Sequence, residues 1–141
     1  MRLRDDDAER YEGPACVALA WTPAPDVIVT RFRGHADRGA LSFYTTRAQR
    51  IIDEQGHVYV FHHWAEVNGW DPSVREDLRR WAADRVKALW GSHFLVRTKV
   101  LSMALQVAAL ALGRKLDAYN SDAHFFAALE RTLGRRDRSP T

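Results

Sequence analysis

The six histidines have the broadest chemical reach in this sequence, because imidazole titrates near neutrality and ligates metals. His62 and His63 are adjacent, and His57 lies upstream in the same run, HVYVFHHW. If that run is a strand, neighbouring residues face opposite sides, so His62 and His63 do not readily share one ion. His57 and His63 share a side but stand about 20 Å apart at the rise of an extended chain, too far to bridge a metal. A site built from His62 or His63 with His93 on a neighbouring strand is the remaining metal arrangement, set against partly buried structural histidines. An acid–base couple of His62 or His63 with Glu66 or Asp71 is the enzymatic alternative. Ser42, Ser73, Ser92, Ser102 and Ser121 lack a Gly-x-Ser-x-Gly elbow, and no Gly-rich phosphate loop is present. No catalytic residue, metal or cofactor is assigned, and the expectation is a protein that is not an enzyme.

Three further features bear on binding. Trp70 closes the segment Val67-Asn68-Gly69-Trp70, which leaves a central strand where α/β sheets place ligands; it packs on the next helix or meets a partner. Ser73 follows Asp71-Pro72 in the first turn of that helix, where free amides and the macrodipole favour a phosphate. In residues 100–112 only Ser102 and Gln106 are polar. A surface helix needs one apolar stripe, so a second face bearing Leu101, Met103, Leu105 and Leu112 must be covered as well. Neighbouring helices, a second subunit, a protein partner and an acyl chain are the alternatives. A helix of this length spans about 21 Å against a hydrocarbon core of about 30 Å, so a transmembrane span is not expected.

The elements that position these residues follow from periodicity. Residues 15–21 and 27–33 read as a hairpin at a sheet edge, because Pro23 and Pro25 in its turn cannot occupy a sheet interior. Leu41, Tyr44, Ala48, Ile51 and Ile52 recur at helical spacing, with Asp37 as cap and Gly56 as a left-handed stop. Residues 57–64 form a β-branched, aromatic central strand. Asp71-Pro72 opens a second helix whose inward face runs Val74, Leu78, Trp81, Ala82, Val86 and Leu89, with a charge-laced outer face. A strand at 93–97, a helix at 99–112, a short strand at 116–119 and a helix at 121–133 complete the chain. The expected fold is a single α/β domain with about five strands in a mixed sheet and about four helices. It occupies 14–133, between a flexible leader at 1–13 and a flexible basic tail at 134–141.

Composition fits one domain: 141 residues, 46% hydrophobic and 28% charged, with a formal charge of +3. That charge is spread among carboxylates, so a nucleic-acid partner is not expected. The one cysteine, Cys16, alternates with Ala18 and Ala20 and reads as a small buried hydrophobe rather than a reactive thiol. With no secretory signal in the charged N-terminus, the expected location is the cytoplasm.

The stretches HHWAEVNGWDPSVREDLRRW, SHFLVRTKVLSMALQVAALAL and LDAYNSDAHFFAALERTL, in this element order, resemble the SpoIIAA-like group of the bacterial STAS superfamily across residues 15–133. Some members of that group are also compared with the lipid-binding Sec14 fold. The resemblance implies a non-catalytic binding or regulatory module acting on a protein partner or as a homodimer, with a Sec14-like binder of a lipid or other apolar ligand as the alternative. In the antagonists of this superfamily a serine at the start of the second helix is phosphorylated, which puts Ser73 forward as a phosphoswitch position. The second hydroxyl of that motif is missing here, and Pro72 removes one amide. The group also tends to carry an acid before the tryptophan that ends the central strand, where this chain has His63-Trp64.

Overall fold

The structure, a computed structural model, describes residues 3–97 and 116–137. After a short 3-10 turn at Asp5–Asp7, the elements are β1 (Glu9–Glu12), β2 (Cys16–Ala24), β3 (Val27–Ala36), α1 (Arg38–Gln55), β4 (Val58–Trp70), α2 (Pro72–Asp84), β5 (Leu89–Leu95), β6 (Leu116–Tyr119) and α3 (Asp122–Asp137). The six strands form one sheet in sequence order. β1, β2 and β3 pair antiparallel, while β3, β4, β5 and β6 pair parallel. Parallel neighbours need crossovers that place helices on the sheet, so the strands are buried on both faces. On one face α1 and α2 cover Ile28, Phe32, Val58, Val60 and Trp64. On the other, Phe125, Ala128 and Leu129 of α3 pack against Leu19, Val29, Phe61 and Leu95.

Local signals explain most boundaries. The Asp37 carboxylate accepts a bond from Ala40 N at 2.8 Å and so caps α1. Gly56 ends α1 in the left-handed region at φ 83° and donates its amide to Ile52 O. Pro72 occupies the first turn of α2, as expected from its fixed φ and missing amide. Gly34, at φ 93°, lies beside β2 so closely that a Cβ there would stand 2.3 Å from Ala15 O.

Several expectations need correction. The sheet has six strands because residues 9–12, taken as part of a loose leader, pair with β2 through Glu9↔Ala20 to Glu12↔Val17. One apolar side chain among four gives no period to read; the pairing is carried by the main chain. Strand β1 covers the hairpin's outer side, so β2 and β3 are not an edge pair. Pro23 is accommodated inside β2 because the register shifts between Trp21 and Ala24. Helix α2 stops at Asp84, and Leu89 opens β5 as the register partner of Val58. Strand β5 therefore starts four residues before the expected 93. Helix α3 runs through Gly134 to Asp137, beyond the expected end at 133. The expected helix at 99–112 lies outside the described residues.

Candidate functional site

Alternation along β4 sends its two adjacent histidines to opposite faces. His62 enters the α1/α2 side, fully buried, with its ring 4.5 Å from that of Tyr44 and 4.6 Å from that of Trp64. Thr30, its register partner on β3, places Oγ1 2.6 Å from His62 Nδ1. The same oxygen accepts the indole N–H of Trp64 at 3.2 Å. Indole only donates, and Oγ1 keeps both its hydrogen and a second lone pair for His62 Nδ1, so the direction of that bond follows the imidazole tautomer. Burial, assisted by His93, pushes the His62 pKa down to about 3. This is a neutral structural histidine.

His93 lies on the α3 side, stacked on Phe61 with ring centroids 4.2 Å apart, its Nδ1 2.9 Å from Tyr119 Oη. Burial brings its pKa down to about 4, with Asp117 opposing that shift. His62 and His93 are thus on different faces, which removes that metal pair. Among the described residues no group of three His, Cys, Asp or Glu side chains converges as a metal site.

His63 stands on the α3 face, midway along β4 and level with Leu95, the last residue of β5. Its side chain is 10% exposed, and its Nε2 lies 3.9 Å from Asp122 Oδ2 at the start of α3. Its register partner on β3 is Arg31. Arg31 Nη2 donates to Glu66 Oε1 at 2.6 Å, and Arg33 Nε lies 2.8 Å from Glu66 Oε2 without hydrogen-bond geometry. Arg97 Nη2 donates to Asp122 Oδ1 at 2.9 Å. Burial, then the Arg31 charge, hold the His63 pKa down against Asp122 and Glu66. The hydrogen bond from Arg31 holds Glu66 below the ordinary carboxylate range. Arg31 Nε and His63 Nδ1 are buried without a hydrogen-bond partner.

Of the residues singled out in the sequence, Glu66 and His63 meet in this cluster, and Asp71 does not join it. Asp71 bonds His35 Nε2 at 2.7 Å, and its side chain makes no cap bond to α2. Ser73 sits in the first turn of α2, half-buried. Trp70 ends β4, half-buried against the α1/α2 core, edge-on to Trp64 at 6.4 Å. Leu101, Met103, Leu105 and Leu112 lie outside the described residues. Arg31, Arg33, Arg97 and Asp122 are absent from the sequence-based site. The available signal was Thr30-Arg31-Phe32-Arg33, where alternation puts two arginines on one face of an otherwise apolar strand.

At the opposite end of the sheet, Trp90 is 55% exposed, the one exposed large hydrophobic side chain among the described residues. Its ring lies flat on His57, centroids 3.7 Å apart at 11°. His57 is anchored in turn by Asp26 Oδ2, 2.9 Å from its Nε2.

The fold is similar to that of a solved structure. An uncharacterized protein from the DUF3478 family of Shewanella loihica PV-4, described as having a SpoIIAA-like fold, aligns with a TM-score of 0.61. The alignment covers 86% of this chain and 91% of that one, at 8% sequence identity. The fold is SpoIIAA-like. At that identity the likeness establishes architecture alone, and function must come from the site. No protein-family model and no curated protein matches the sequence. No helix among the described residues is long and apolar enough to cross a membrane.

Proposed function

We propose that this chain is a non-catalytic, STAS-like binding module that acts through contact between proteins, in the cytoplasm. The observation that carries this reading is Trp90, an exposed indole held rigid on the anchored His57 ring. Rigid, solvent-facing aromatics contribute disproportionately to protein interfaces, because they bury much area while losing little side-chain freedom. The histidines support it from the other side: His62 with Thr30, His93 with Tyr119, His57 with Asp26 and His35 with Asp71 each hold a structural partner.

Light scattering across a concentration series, on the whole chain and on Trp90→Ser, tests the homotypic form of this contact. The expected result is a dimer that W90S dissociates. A strict monomer at every concentration overturns homotypic contact and confines the reading to a different partner. Ser73 is the proposed regulatory position; Ser73→Glu is expected to weaken the same contact, and unchanged association removes that role.

A second reading, a Sec14-like carrier of an apolar ligand, rests on the nearly all-apolar residues 100–112. Native mass spectrometry is expected to show a co-purifying lipid if it holds, and a bare chain counts against it.

A further inference from the structure

We propose that the cluster of Arg31, Arg33, His63, Glu66, Arg97 and Asp122 is a binding site for the carboxylate group of an organic acid. Nothing in the proposed protein contact at Trp90 requires it, since that residue lies at the other end of the sheet.

The first support is an imbalance of donors and acceptors. Guanidinium groups only donate, and Glu66 and Asp122 are the carboxylates that meet them here. Glu66 is shared between Arg31 and Arg33, and Asp122 between Arg97 and the edge of His63. The Nε–H of Arg31 and Nδ1 of His63 are left buried with no hydrogen bond, while Arg33 Nε already faces Glu66 Oε2 at 2.8 Å. A buried donor without an acceptor is costly, so the Arg31 Nε–H lacks an acceptor group; the neutral His63 ring carries a single N–H, and the tautomer sets whether its Nδ1 donates or accepts.

The second support is charge. Three guanidiniums against two carboxylates leave one positive charge while His63 is neutral, as its lowered pKa makes it at pH 7. One carboxylate balances that excess. A doubly charged phosphate would exceed it and be repelled by Glu66 and Asp122.

The third support is access. The side chains of Arg31 and Arg33 are 29% and 37% exposed, and that of Arg97 is 60% exposed. These side chains are therefore partly open to solvent, although Nε of Arg31 and of Arg33 is not, while Phe125 and Phe126 at the His63 ring supply an apolar floor. Planar guanidinium groups match a carboxylate in a two-bond fork, which inorganic chloride cannot reproduce.

The test is a titration of the full-length, 15N-labelled protein with sodium acetate, sodium decanoate and inorganic phosphate, each against sodium chloride at matched ionic strength. Arginine Nε–H signals and the His63 ring signals are followed. A saturable acetate shift of the Arg31 Nε–H signal is expected, with an accompanying rise in the His63 pKa. The variants Arg33→Gln, at a partly exposed position, and Arg97→Gln, at an exposed one, are expected to weaken acetate about tenfold each while keeping the wild-type fold by circular dichroism. Tighter binding of decanoate than acetate assigns the carboxylate to an acyl chain, and equal binding assigns it to a small free acid. Acetate shifts no larger than those of chloride, tighter binding of phosphate than acetate, or variants that titrate like wild type overturn the proposal.

Discussion

Lowering the pH from 7 to 5 should strip this protein of a large part of its stability, and two histidines set the amount. His62 and His93 have pKa values brought down to about 3 and about 4 in the folded chain, from an ordinary 6.5. Between those values the unfolded chain binds more protons than the folded one, so stability falls as pH falls. At pH 5 the folded rings are still almost wholly neutral, and the cost of each is set by how far pH 5 lies below 6.5. That cost is about 2 kcal/mol per histidine at pH 5 and about 0.2 kcal/mol at pH 7, a net loss of about 4 kcal/mol for the pair. The figure is insensitive to the depth of either folded pKa, provided both lie well under 5. Neither ring is exposed enough for solvent screening to reduce it: His62 is 1% exposed and the His93 side chain 12%. His63, whose pKa is also lowered, adds in the same direction. Against a typical domain stability of about 5–15 kcal/mol, this is a major loss. Urea unfolding at half-unit pH steps measures it, and the slope should begin near pH 6.5, above the range in which carboxylates titrate. The variant His93→Phe keeps the stack on Phe61 and removes one titrating group, so its difference between pH 7 and pH 5 should shrink by about 2 kcal/mol. A wild-type protein that loses less than about 1 kcal/mol over that interval would refute the placement of these rings as buried and neutral.

Further expectations concern single side chains. Thr30→Val preserves shape but leaves the Trp64 indole N–H and His62 Nδ1 unpaired in the core, which costs about 2–5 kcal/mol. For a chain of 141 residues, that is a fall of about 3 °C in Tm per kcal/mol, read by thermal circular dichroism; an unchanged Tm would show that the oxygen is not shared. Gly34→Ala and Gly56→Ala both force alanine into the left-handed region, but only the former also meets a backbone atom. Gly56→Ala should cost about 1–2 kcal/mol and Gly34→Ala clearly more in chemical denaturation, and equal losses would contradict the close approach of β2. Cys16, 3% exposed with burial pushing its thiol pKa up, should react with iodoacetamide only after denaturant is added; modification of the native protein at the rate of a free thiol would place it elsewhere.

Much of the architecture was legible because it rests on local physics. The Asp37 cap, the Gly56 stop, the proline that opens α2 and the apolar period of α1 each express a preference of a few neighbouring residues, and each appears where the sequence places it. The alternation rule correctly separated His62 from His63 before any contact was known. Strand β1 was illegible because its pairing uses main-chain groups that every residue carries. Leu89 was misread because a helical period continued by chance into a strand. The candidate site was harder still. Each of its arginines reads as an ordinary surface charge, and only the parallel register of β3 with β4 and the start of α3 bring them to His63.

The sequence by itself therefore determined β2, β3, α1, the core of β4, the start of α2 and the resemblance to SpoIIAA-like proteins. Tertiary structure alone decided the six-stranded order, the partner of each histidine and the meeting of Arg31, Glu66, His63, Arg97 and Asp122. The reason is distance along the chain: periodicity reports on neighbours within a few residues, whereas Arg31 and Asp122 are far apart in sequence and each comes to His63 only when the sheet is assembled.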